Sequence, residues 1–167
     1  MAGIHVFDAH VDAANAWLRP LMEDLKLAPG EDSRAMHALR GALHAIRDRL
    51  PAAEVVDLAA QLPTLLRGIY YEGWRLGNDP TRIRDRAAML ARVKKELGTD
   101  LRLTPHDVLR SVIRLLVKHV SAGEIRDVVA TLPRPIATLW KELSGEATES
   151  VVTSPDPALV RRTGYAR

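Results

Sequence analysis

Apolar residues recur at intervals of three and four along almost the whole chain, and strand-type alternation is scarce. This spacing predicts an all-α protein. Its helix starts are marked by residues that can satisfy, or do without, the free N–H groups of a first turn. Ser33 precedes RAMHALRGALHAI. Asp79-Pro80 and Thr104-Pro105 each pair an N-cap residue with a proline at the first helical position. Ser121 and Glu124 are spaced as a capping box. Pro63 and Pro133 interrupt apolar runs, and each is expected to open a new helix. The expected helices cover 5–26 (bent or broken at Pro20), 34–49, 52–61, 63–76, 80–97, 105–119, 122–131 and 134–144, with Gly77 and Gly98 as stops. Residues 145–167 are small, polar and proline-containing, with no periodic apolar face, and are expected to form a flexible C-terminal tail.

The pattern repeats. Displaced by 70 residues without a gap, LPAAEVVDLAAQLP lies on VSAGEIRDVVATLP. Identities include Leu39/Leu109, Arg40/Arg110, Glu54/Glu124, Asp57/Asp127, Ala60/Ala130, Leu62/Leu132 and Pro63/Pro133. Elsewhere apolar character is kept while residues change, as in Leu43/Ile113, Ile46/Leu116, Val55/Ile125 and Leu66/Ile136. The expectation is an internally duplicated helical bundle. Residues 1–144 would form one domain of two repeats, about 4–76 and 77–144, as pseudo-symmetric multi-helix units around a shared core.

One helix breaks the symmetry. The chain has seven aromatic residues, and three of them fall in LPTLLRGIYYEGW, residues 62–74. With Pro63 opening this helix, Leu66, Tyr70 and Trp74 make a stripe facing the core. Arg67 and Tyr71 lie four apart beside it, at cation–π spacing. Gly68 and Gly73 weaken a helix by about 1 kcal/mol each relative to alanine, which suggests a close neighbour: another helix, a second subunit or a ligand. In the second copy these positions hold Thr138, Trp140, Lys141 and Leu143 against Gly68, Tyr70, Tyr71 and Gly73. Tyr, Trp and Arg are favoured contact residues, so Arg67, Tyr70, Tyr71 and Trp74 are the candidate partner-binding or ligand-binding residues.

These residues carry a resemblance. LAAQLPTLLRGIYYEGW, preceded by RDRLP and followed by GEIRDVVATLP, resembles the bacterial family called domain of unknown function 2267, over about residues 4–144. The resemblance implies a duplicated all-helical fold and brings no catalytic residue with it.

Composition adds limits. Hydrophobic residues are 47% of the chain and charged residues 27%, an ordinary globular balance. No apolar run reaches the roughly 18 residues of a membrane helix, and the N-terminus lacks the pattern of a signal peptide, so a cytoplasmic protein without membrane contact is expected. The chain contains no cysteine, which rules out disulfides, thiolate chemistry and cysteine zinc sites. The net charge of +3 is unevenly spread: residues 1–62 carry six Lys/Arg and nine Asp/Glu, and residues 75–118 carry eleven and five. In RIRDRAAMLARVKK, Ile83, Ala87, Leu90, Val93 and Leu97 are expected to be buried. Arg82, Arg86, Arg92 and Lys95 would then form an outward basic patch, for nucleic acid or an acidic protein surface.

Other chemistry finds little support. His5, Asp8 and Asp12 share a side of a terminal helix but lack a second cluster, and neither metal nor cofactor is expected. Glu54/Asp57 and Glu124/Asp127 recur in both copies as first-turn acids, which favours a structural role. HVSAGEIRDVVATL has helix-turn-helix spacing, but its duplicate lacks a polar reading face. Phosphate-loop, nucleophile-elbow and zinc-protease motifs are missing. The expectation is a non-enzymatic helical interaction or scaffold module whose partner is another protein or a second copy. The alternatives are a small-ligand site between the repeats, or weak nucleic-acid binding by residues 75–118.

Overall fold

The computed structural model describes residues 4–145. Among them are eight α-helices and no strand: α1 Asp8–Asp24, α2 Asp32–Arg49, α3 Ala52–Ala60, α4 Thr64–Tyr71, α5 Arg86–Leu97, α6 Pro105–His119, α7 Ala122–Thr131 and α8 Arg134–Ser144. A 3-10 turn, Pro80–Arg82, precedes α5. All-α is therefore the fold class. The expected tail lies, apart from Gly145, outside the described residues.

The centre is built on α2 and α6. Ala35, Ala38, Leu39, Ala42, Leu43, Ala45 and Ile46 of α2 are buried, as are Val108, Leu109, Val112, Ile113 and Leu116 of α6. The neighbours come in matching sets. α1 packs on α2 and α5 on α6; α4 packs on α2 and α8 on α6; α1 meets α4 and α5 meets α8. α2 crosses to α6, and α3 pairs with α7. The starts of α3 and α7 are 70 residues apart, as are those of α4 and α8 and the ends of α2 and α6.

Small residues let the helices approach. Against Gly41 of α2, an added Cβ would stand 3.0 Å from Glu96 Cβ and 3.3 Å from the Val93 carbonyl oxygen, so α5 lies directly on the α2 backbone. α1 contributes Ala14, Trp17 and Leu21, spaced along one face. The Trp17 ring stacks on His119 of α6 with centroids 4.7 Å apart.

Three boundaries differ from expectation. α4 ends at Tyr71 and not at 76, because Glu72 is extended and Gly73 takes a φ of +70°, which a side chain would resist. The helix expected over 80–97 is split. Asp79 caps only the 3-10 turn, accepting from Thr81 N at 2.9 Å, and Asp85 then caps α5 by accepting from Ala88 N at 2.9 Å. Two capping aspartates six residues apart compete, and each takes its own turn. The buried stripe of α5 is consequently Met89, Val93 and Leu97, while Ala87 is exposed and Leu90 half-buried. Finally, α1 begins at Asp8 and runs through Pro20. The stop at Gly98 is as expected, with φ +57° and its N–H bonded to Lys94 O at 3.0 Å.

The pairing of α3 with α7 brings Glu54, Asp57, Glu124 and Asp127 near one another. Burial, and then Glu54, Asp57 and Asp127, raise the Glu124 carboxyl above its usual range. One Glu124 oxygen is shielded without a hydrogen-bond partner. A carboxyl raised on folding favours the folded state at low pH, and that contribution is lost as pH rises from the unfolded value through the folded one. Glu124→Gln is therefore expected to raise the melting temperature at pH 7. Its advantage should shrink as pH falls through about 4.5, and a gain independent of pH would contradict this electrostatic account.

Candidate functional site

The aromatic run is anchored from two sides. At its start, Arg67 does not lie over Tyr71 as the spacing suggested. Its Nε donates to Ala59 O at 2.9 Å and its Nη2 to Leu62 O at 3.1 Å, closing the C-terminal end of α3. A guanidinium is drawn to the free carbonyls at a helix end, where the dipole is negative. Tyr70 is fully buried, and its hydroxyl donates to Val55 O at 3.0 Å. Burial pushes the Tyr70 phenol far above its ordinary range. Arg67 thus serves as a helix cap although it is exposed, and Tyr70 belongs to the core.

The end of α4 is held by α2. His44 Nε2 donates to Ile69 O at 2.7 Å, which fixes the proton on that nitrogen. Burial, the largest influence, lowers the His44 pKa against the opposing pull of that hydrogen bond. Arg47 donates from Nη1 to Tyr70 O at 2.6 Å and to Glu72 O at 2.7 Å. Its other side meets Asp48 Oδ1, at 2.8 Å from Nε and 2.7 Å from Nη2. Arg40 adds a 2.9 Å pair with the Glu72 carboxylate. The carbonyls at the end of α4 therefore find donors on one face of α2, with the Glu72 N–H also reaching Ile69 O at 3.2 Å.

This anchoring turns the chain at Gly73 and fixes two aromatic residues at a corner. Tyr71 and Trp74 are half-buried, with ring centroids 5.7 Å apart, and the Tyr71 ring meets the edge of Tyr70 at 5.4 Å. Trp74 has left the helical stripe proposed for it, because α4 has already ended. Beyond it, Arg75 is exposed and Leu76 is 79% exposed. The expected close neighbours of Gly68 and Gly73 do not come from the described residues: an added Cβ at either meets nothing within 4 Å. Gly73 is needed for its backbone angle, while Gly68 offers open backbone on the outer side of α4.

The expected basic patch is dispersed. Arg86 pairs with Glu142 at 2.9 Å, and Arg92, half-buried and not outward as expected, pairs with Asp48 at 2.9 Å. Arg82 and Lys95 remain exposed. Part of the acidic–basic asymmetry is thus satisfied internally, by Asp48 with Arg92 and by Glu31 with Arg102, while Arg34 with Asp100 at 2.5 Å pairs the two segments in the opposite sense. The terminal His5 bonds Asp8 at 2.8 Å in the open. His10 and Asp12 are exposed, and no group of metal-ligating residues is assembled among the described residues.

A cleft of about 370 Å³ opens between the end of α2 and the connection from α4 to α5. It is lined by Asp48, Gly77, Asn78, Asp79, Arg82, Ile83 and Arg92. It draws on both expected repeats but contains none of Arg67, Tyr70, Tyr71 or Trp74. The sequence reading missed Arg47 and Asp48, and placed His44 on a helix face with His37 and Arg40 without giving it a role. A signal existed, since displacement by 70 puts Arg114, Val117 and Lys118 opposite His44, Arg47 and Asp48, a break as sharp as that of the aromatic run.

A family model described as "Uncharacterized conserved protein (DUF2267)" matches residues 14–139. The chain belongs to this family. The DUF2267 match spans α2 to α7 completely, with most of α1 and α8. It therefore contains the α4 corner, the cleft and both halves of the acidic cluster. The family description names no activity and assigns no residue a role. No curated protein matches the chain. No helix among the described residues is long and apolar enough to cross a membrane.

Proposed function

We propose that this DUF2267 protein is a non-enzymatic interaction module that binds a protein partner, or a second copy of itself, through the α4 corner. The observation that supports this reading is the half-buried Tyr71–Trp74 pair, fixed by the Arg47 and His44 bonds to the helix end and flanked by exposed Leu76 and the bare Gly68 backbone. Aromatic side chains on rigid supports lose little conformational freedom on binding and dominate contact energies. Duplication of one packing unit would explain why only the first copy carries this feature: the second copy suffices for the core.

Trp74→Ala and Leu76→Ser should each weaken self-association in sedimentation equilibrium, or capture of a defined partner, by at least about tenfold. Their circular dichroism should be unchanged. A chain that stays monomeric at high concentration, and loses no partner on either substitution, would refute the reading. Gly68→Ala provides a separate test. With open space around its Cβ, alanine should stabilise the isolated chain by about 0.5–1 kcal/mol. The same variant should bind its partner less well if the partner approaches that backbone.

A further inference from the structure

We propose that the cleft between the end of α2 and the α4–α5 connection is a binding site for a small organic anion, a phosphate monoester or a carboxylate, whose oxyanion is received by Arg82 and the free end of Arg92. The cleft volume, about 370 Å³, lies in the range of small-molecule sites. Of its acidic residues, Asp48 is engaged through both oxygens and Asp79 through one. Asp48 gives Oδ1 to Arg47 and Oδ2 to Arg92 Nε, at 2.8 Å and 2.9 Å. Asp79 turns Oδ1 back to Thr81, accepting from its N–H at 2.9 Å and its hydroxyl at 2.6 Å.

The cationic side is open. Arg92 reaches Asp48 through Nε alone, which leaves both terminal nitrogens as a fork held in place from behind. The Arg82 side chain makes no hydrogen bond or close ion pair with any described residue, and its charge acts on the neighbouring Asp79 carboxylate from a distance. The Asn78 side chain likewise has no hydrogen-bond partner among the described residues and lines the same cleft. The lining holds two guanidiniums and two carboxylates, and the charge of Asp48 is shared between Arg92 and Arg47 behind it, which leaves the open nitrogens of Arg82 and Arg92 to an incoming anion. A fixed guanidinium fork suits planar or tetrahedral oxyanions, which accept two parallel hydrogen bonds from it. Buried Ile83 supplies apolar lining against which an organic body can rest. This site is tested separately from the interaction proposed for the α4 corner, because its lining contains none of Tyr71, Trp74 and Leu76.

The test is a nuclear magnetic resonance titration of the full chain, once with inorganic phosphate and once with succinate. Saturable shifts are expected at Gly77, Asn78, Ile83 and the Arg92 Nε–H. Saturation by phosphate alone assigns a phosphate site, and saturation by both assigns a general oxyanion site; either supports the proposal. Arg82→Gln should weaken binding by about tenfold or more, the loss of a charge-assisted contact. Arg92→Lys keeps a charge beside Asp48 but removes the fork, and should weaken binding comparably. Lys95→Gln, which removes the same charge away from the cleft, should change affinity by less than about twofold. If Arg92→Lys disturbs packing, Arg82→Gln decides alone, since Arg82 has no intramolecular bond to lose. Shifts that never saturate, that survive Arg82→Gln, or that fall equally in Lys95→Gln would overturn the proposal.

Discussion

Replacing Arg47 with methionine is expected to destabilise the protein by about 3–5 kcal/mol, measured by urea denaturation. Methionine fills much of the volume, so packing is not the main loss. The guanidinium is 3% exposed and supplies donors to two backbone carbonyls, of Tyr70 and Glu72, as well as to Asp48. Removing it leaves those carbonyls without a donor where water has little access, and leaves Asp48 with only Arg92. The damage should be local at first. Amide exchange should accelerate between residues 69 and 76, because the end of α4 depends on these bonds. A loss below about 1 kcal/mol would show that solvent can replace the guanidinium, and that the corner is not held as described.

The second large effect concerns Gly41. Gly41→Leu is expected to cost about 2–3 kcal/mol, through forced separation of α2 and α5. Even the first added carbon would stand 3.0 Å from Glu96 Cβ and 3.3 Å from a backbone oxygen, neither of them the loose end of a side chain. Gly41→Ala makes an informative companion: the gain in helix propensity, about 1 kcal/mol, opposes the crowding, so it should fall near neutral. Equal stabilisation by alanine at Gly41 and at Gly68 would mean that α5 can retreat freely.

The two glycines show what a single sequence conveys and what it withholds. Both sit inside helices, and composition makes each look equally weak. The sequence reading chose Gly68 as the close-approach position because it lies among aromatics, but close approach occurs at Gly41. The difference depends on which helix lies opposite, a tertiary fact. Caps were more legible. Thr104 and Ser121 bond the backbone N–H groups of Asp107 and Glu124, as their spacing implied, because capping is decided within four residues. Arg47 was hidden for the opposite reason: an arginine in a helix ordinarily reaches water, and only the early end of α4 supplies it with carbonyls. Arg67 was noticed for its neighbours, but its contact is not with Tyr71, since a guanidinium beside a tyrosine in sequence can instead face the end of the preceding helix.

The crossed packing of the helices has a topological consequence. α5 lies on α2 and α1 lies on α6, so the surfaces joining the first sequence half to the second are as much a part of the interior as those within either half. Severing the chain in the exposed connection near Gly77 should therefore yield two fragments that are unstructured apart and regain helix when mixed. Their complementation would depend on concentration, as in an obligate heterodimer, although every contact involved belongs to one chain.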